Sequence, residues 1–376
     1  MIKQEVLEIR KQFTPERCTI DTIAGCYVDY EKNKKLIFKQ AFQSLPEEET
    51  YKYFDIFQHT LSGTAGKNLL DLAFPYEEEQ LGGAQEFLMT LRETKLSEDA
   101  LLENFYDKII ASFVHPENYL IVLAHASYDI PGITNDRIAM EDASDDVFEY
   151  LLCSICPVVL SKGGLSFNEK KQVIEARKRD WIVDAPVKGF LFPAFNLRNT
   201  DIHSALYYTK KADDVQPEFI SFLFGAAAPM SASDQRDTFD ALITDTVGED
   251  ADLETVKNIH DNLQELIEAH KEDKEPFTLE KADVKRLFKD SGVSDARLKT
   301  FDENYLKTAG DEDYPLLASN LKHGTKFGMK TPDVEIKVKP ERTDLVRAQV
   351  VNKRQCLVVE VNGSVEVNGV PVKILQ

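Results

Sequence analysis

Cys153 and Cys156 stand in Cys-Ser-Ile-Cys-Pro, the spacing used by dithiol redox pairs and by half of a tetrahedral zinc site. A redox pair needs an exposed helix N-terminus to depress one thiol pKa. A zinc site needs two more ligands at matching spacing. No second C-x-x-C exists, and Cys18 and Cys26 are spaced wrongly for one. The surrounding run, Val147 to Leu160, is apolar, so two small buried hydrophobes are expected. His125 lies in a second apolar run, Asn118 to Ala126, which leads into Ser127-Tyr128-Asp129. If the two runs lie side by side, His125, Asp129, Cys153 and Cys156 converge on a metal- or thiol-dependent site. The competing expectation is a satisfied core histidine.

Other fragments are incomplete. Ser62-Gly-Thr-Ala-Gly-Lys67-Asn68 lacks the first glycine and the hydroxyl of a phosphate-binding loop, and a helix precedes it, so a helix-ending turn is expected. Glu141, Asp142, Asp145 and Asp146 offer oxygens to a hard cation but lack EF-hand spacing. Asp333, Glu335 and Lys337 share one face of an expected strand, as in Mg²⁺-dependent nucleases, but those enzymes place the first Asp on another strand. There is no G-x-S-x-G, H-E-x-x-H or dinucleotide fingerprint. No cofactor and no metal are expected, and the balance leans away from an enzyme.

The chain carries 65 acidic and 45 basic residues, net −20, a surface that repels polyanions at long range. The charge is uneven. Residues 1–230 and 231–315 each carry −12, whereas residues 316–376 carry +4 and form the one net-positive block. Lys322, His323, Lys326, Lys330, Lys337, Lys339, Arg342, Arg347, Lys353 and Arg354 are basic residues of that block and make the tail the candidate contact for nucleic acid or a protein partner. Sparse cysteines, an N-terminus without a secretory pattern and the lack of an apolar run near ~18 residues predict a cytoplasmic, non-membrane protein.

The elements that must position these residues give an α+β protein. Ile2, Val6 and Ile9 predict a short amphipathic helix, and 23–30 with 36–42 a β-hairpin. Helices are predicted at 46–61, 79–93 and 97–113. The runs at 118–126, 147–160, 187–195 and 203–209 predict a central sheet, with an exposed acidic connection at 129–146. Residues 231–315 form a helical block, with a stripe from Leu253 to Ile267 at 3.6 spacing. Alternation in 334–338, 345–351 and 356–361, with turns at Asn362-Gly363 and Asn368-Gly369, predicts a small antiparallel β unit at 316–376. The expected domains are 1–230, 231–315 and 316–376.

Ile9-Arg-Lys-Gln-Phe-Thr-Pro-Glu, Gly25-Cys-Tyr-Val-Asp, Met140-Glu-Asp-Ala-Ser-Asp, Leu152-Cys-Ser-Ile-Cys-Pro, Gly189-Phe-Leu-Phe-Pro-Ala-Phe-Asn and Arg354-Gln-Cys-Leu-Val resemble a bacterial family defined by a domain of unknown function, number 4317. That resemblance spans the chain and brings no catalytic residues. From about residue 203, a strand, Pro217-Glu-Phe-Ile-Ser-Phe-Leu-Phe-Gly225, a helical block and a terminal β unit are similar in order to the 37-kilodalton nucleoid-associated protein family. This implies a nucleoid or DNA-handling partner. Three functions follow as expectations: an interaction protein using its tail, an enzyme around His125 and Cys153, or a regulator binding basic partners through residues 231–315.

Overall fold

The apolar run around Cys153 becomes the middle of an antiparallel sheet. A computed structural model describes residues 1–133, 139–140, 146–248, 252–311, 313–323, 327–367 and 370–372. The chain divides into two compact units, Met1–Ser231 and Ala232–Gln376. Glu141, Asp142, Asp145, Lys326 and the Asn368-Gly369 turn lie outside the described residues.

In the first unit the strands include β1 (Ile20–Val28), β2 (Lys34–Ala41), β3 (Leu69–Ala73), β4 (Tyr119–Ile130), β5 (Asp146–Leu160), β6 (Leu165–Asn168), β7 (Val173–Ala176), β8 (Trp181–Val183), β9 (Lys188–Phe192) and β10 (Ser204–Thr209). The main sheet runs β2-β1-β4-β5-β9-β10-β3, and β8 pairs with the far end of β5. Each neighbouring pair is antiparallel. Hairpin β1–β2 and the four central strands stand where the apolar runs predict them.

Helices α1 (Lys3–Arg10) and α2 (Glu47–Thr60) cover one face; α3 (Ala84–Glu93), α4 (Asp99–Ser112) and α5 (Pro217–Phe224) cover the other. Side chains alternate accordingly. Leu151, Cys153 and Ile155 join the α3–α5 core, and Phe148, Tyr150 and Leu152 join the α1–α2 core. Both faces of β5 are buried, so its sequence reads as a continuous apolar run. Helix α3 begins later than the predicted 79–93, because a 3₁₀ turn occupies Tyr76–Glu79 and the Glu78 carboxylate accepts the Ala84 N–H at 2.8 Å.

Gly189 allows α2 to approach the sheet closely. A Cβ there would lie 2.4 Å from the Cys153 carbonyl oxygen and 2.6 Å from Thr60 Cγ2. Beside it the Thr60 and Ser154 hydroxyls share a buried hydrogen bond of 2.6 Å. Gly189→Ala is expected to cost about 2–3 kcal/mol by overpacking. A denaturant titration showing a loss below about 0.5 kcal/mol would contradict this close approach.

The second unit holds α6 (Ala232–Val247), α7 (Leu253–Ala269), α8 (Lys281–Asp290) and α9 (Phe301–Ala309). Asp252 caps α7 by accepting the Thr255 N–H. Phe239, Phe288, Phe301 and Tyr305 pack ring against ring in its core. Three hairpins follow: β11 (Phe327–Lys330) with β12 (Glu335–Val338), β13 (Val346–Val351) with β14 (Arg354–Val359), and β15 (Val365–Val367) with β16 (Val370–Val372). The antiparallel character is as predicted, but among the described residues the pairs are separate two-stranded sheets. No helix among the described residues is long and apolar enough to cross a membrane.

Candidate functional site

Alternation on β5 decides the geometry of the cysteine pair. Residues 153 and 156 differ by an odd number, so the two side chains leave opposite faces of the strand. Cys153 lies in the α3–α5 core, while Cys156 shares its face with Ser154, which bonds to α2. Both thiols are buried, and burial pushes both well above the usual thiol range. The strand therefore does not bring them together as a dithiol. Cys26, across the sheet on the Cys153 side, is pushed up to about 11 by burial. All five cysteines are free. Among the described residues no group of three or more His, Cys, Asp or Glu side chains has metal-site geometry.

His125 is fully buried on β4, between Thr22 of β1 and Leu151 of β5. Its Nδ1 is 3.1 Å from Asp21 Oδ2, and its Nε2 has no hydrogen-bond partner among the described residues. Lys95 Nζ lies 3.7 Å from Asp21 Oδ2 and 3.5 Å from Glu149 Oε1. Asp129 is exposed and four residues along the strand, about 13 Å away. The carboxylate next to His125 is thus Asp21, which carries no local sequence signal because it comes from a neighbouring strand.

Burial lowers the His125 pKa, the Asp21 and Glu149 carboxylates oppose that shift, and Lys95 adds to it. The unfolded chain binds this proton near the ordinary pKa of about 6.5, where the native protein does not. Stability therefore falls as pH drops from about 6.5 towards the folded value, by up to ~1.4 kcal/mol per pH unit. His125→Gln should flatten that part of the profile between pH 7 and 5, and an unchanged slope would contradict the assignment.

The 62–68 segment is the expected helix-ending turn. The Lys67 and Asn68 amides both donate to the Thr64 carbonyl, and the Gly66 amide to Leu69. These amides are thus spent within the turn. Asn68 Nδ2 donates to the Thr209 and Lys210 carbonyls at 3.0 and 3.2 Å, tying the turn to β10. In the tail, Glu335 and Lys337 form an ion pair of 2.9 Å, and Asp333 lies in the turn before β12.

The tail cations separate into two groups. Arg342 bonds the Asp344 carboxylate through Nε and a terminal nitrogen at 3.1 and 3.3 Å, and His323 Nε2 lies 2.8 Å from Asp240. Lys322 is partly buried, which lowers its pKa. Lys330, Lys339, Arg347, Lys353 and Arg354 are exposed and form no ion pair among the described residues. In the β13–β14 register Arg347 faces Val358 and Arg354 faces Val351, so both arginines project from one face. Lys353 sits in the connecting turn, where it and Asn352 have φ of 63° and 50°. Those are the positive values of a type I′ hairpin turn.

Two cavities went unread in the sequence. One, of 570 Å³, lies beside α2 and the Ile182–Pro186 segment and is lined by Tyr53, Ile56, Leu120, Ile182 and Val183, with Glu49, Lys52, Asp55 and Asp184 among its polar groups. The other, of 640 Å³, lies between α7 and α8 with Glu265, Asp283 and Asp290 set against Arg286. Residues 161–180 also form a basic arm, with six Lys or Arg against three acids. Charge counted in large blocks averaged it away.

A family model described as Domain of unknown function (DUF4317) matches residues 1–370. None of the curated proteins compared with the chain matches it.

Proposed function

The chain belongs to the DUF4317 family, and we propose that it is a non-catalytic binding protein whose C-terminal hairpins contact a nucleic-acid backbone. One observation carries this reading: Arg347 and Arg354 share a hairpin face with Lys353 at its tip, exposed and without ion pairs among the described residues. Arginine suits such a face because its planar fork matches phosphate oxygens. The Cys153 and Cys156 thiols leave opposite faces of their strand, and His125, on the Cys153 face, is fully buried with the Asp21 carboxylate beside its Nδ1. The similarity of the C-terminal half to nucleoid-associated proteins favours the same reading. A net charge of −20 opposes contact through most of the surface, and that repulsion is screened beyond about 10 Å at 0.1 M salt.

The test is fluorescence anisotropy of a labelled DNA duplex with the full chain. Binding is expected near 50 mM salt, and Arg347→Glu with Arg354→Glu should weaken it at least about tenfold. Lack of binding by the unaltered chain at low salt removes the proposal.

A second reading rests on the α7–α8 cavity, where three carboxylates face one arginine. It predicts salt-sensitive capture of a lysine-rich peptide, lost in Asp283→Asn with Asp290→Asn. Capture unaffected by that pair, or none, removes it.

A further inference from the structure

The segment from Ser161 to Asp180 leaves the main sheet as an arm, and Trp181–Val183 rejoin the sheet on β5. In its hairpin Leu165 lies opposite Ala176 and Phe167 opposite Ile174. Opposed residues share a face, so these four make one face without a charge. Ser166, Asn168, Val173 and Glu175 make the other. The base of the arm is held firmly. Ser161 N–H donates to the Asp180 carbonyl at 2.8 Å, Asp180 N–H to Ser161 Oγ at 3.0 Å, and Arg179 Nε to the Ser161 carbonyl at 2.8 Å. The apolar face nevertheless stands in solvent: Leu165 is 77% exposed, Phe167 55% and Ile174 63%. A two-stranded hairpin is marginal alone in water, and a bare apolar face on an ordered element marks an interaction surface.

The shape and charge of its cover are present on the same chain. At the base of the arm is the 570 Å³ cavity, whose walls include Tyr53, Ile56, Leu120 and Pro186 and whose polar groups include three carboxylates, Glu49, Asp55 and Asp184, against Lys52. Glu49, Asp55 and Lys52 form no ion pair among the described residues. The arm offers the complement: an apolar face flanked by Lys162, Lys170, Lys171, Arg177, Lys178 and Arg179. Residues 161–180 are net +3 in a chain of −20. The cavity volume falls within the ~300–1,000 Å³ of pockets that enclose apolar groups.

We propose that the arm of one copy seats Phe167 and Ile174 in this cavity of a second copy, and that the exchange is reciprocal. A two-fold dimer with two identical arm-to-cavity junctions results. This inference is independent of the nucleic-acid reading, since it uses only residues of the first unit.

Sedimentation velocity of the full chain at micromolar concentration tests it. The chain of 42.6 kDa is expected to sediment as a dimer that weakens as salt is raised. Phe167→Glu with Ile174→Glu disables the arm, and Ile56→Glu disables the cavity. Each variant should sediment as a monomer with the circular dichroism of the unaltered chain. Mixed together they should associate again, because an intact arm then meets an intact cavity. A monomeric unaltered chain, a dimer indifferent to the arm substitutions, or a mixture that stays monomeric overturns the proposal. So does a monomer that binds phosphatidylserine vesicles through the arm, which would assign the face to a lipid surface.

Discussion

Phe190→Ala is expected to lower the unfolding free energy of the first unit by about 4 kcal/mol. Phe190 lies at the middle of β9, 1% exposed. Its ring centroid is 6.2 Å from Phe105 of α4 and 5.1 Å from Phe224 of α5. On the sheet it is flanked by Cys153 of β5 and Tyr207 of β10. Elements from three parts of the chain hold the site open, so a cavity left there cannot collapse. A urea titration followed by circular dichroism should show a lower midpoint with an unchanged slope. A loss below about 1 kcal/mol would mean that this layer repacks.

Asp214→Ala is expected to be nearly as costly, at about 3 kcal/mol. Lys188, the next residue but one along β9, is 1% exposed. Its Nζ donates to Thr209 Oγ1 at 2.7 Å and to the Asp214 carbonyl oxygen, with Asp214 Oδ2 at 3.1 Å. Removing the carboxylate leaves a buried ammonium without its counter-charge. Lys188→Met, which keeps the volume and removes the charge, should cost less than Asp214→Ala. Burial lowers the Lys188 pKa and Asp214 opposes that shift. The unfolded chain therefore binds more protons than the native one between the folded value and about 10.4, and stability rises with pH across that alkaline window. Asp214→Ala should widen the window downwards. If stability in both variants follows the pH dependence of the unaltered protein, Lys188 is not the group involved.

The α+β class was legible because it depends on local patterns. Hairpin β1–β2 shows as two short apolar stretches around the charged Glu31–Lys34 turn, and the runs at β4, β5, β9 and β10 are long enough to stand out. Their near-continuous apolarity follows from helices on both faces of the sheet, a tertiary fact that the runs report indirectly. Strand β3 was hidden because Leu69–Ala73 is five residues long and follows a glycine turn. The arm was hidden because polar and charged residues separate its apolar ones, and only pairing of Phe167 with Ile174 gathers them on one face. The cysteine pair looked chemical in one dimension, yet the two-residue period of a strand sends its thiols to opposite cores. His125 was visible as unusual, while its carboxylate partner was not, because Asp21 reaches it across β1–β4 pairing.

The central claim, that the exposed face of β13–β14 meets a polyanion, is tested most directly by how DNA affinity depends on salt. With Arg347, Lys353 and Arg354 each neutralising one phosphate, log Kobs for a duplex should fall against log salt with a slope of about −2.7. In the full chain carrying Arg347→Ala, Lys353→Ala and Arg354→Ala, that slope should approach zero as binding disappears. An unaltered slope in the triple variant, or affinity that does not change with salt, would contradict the account.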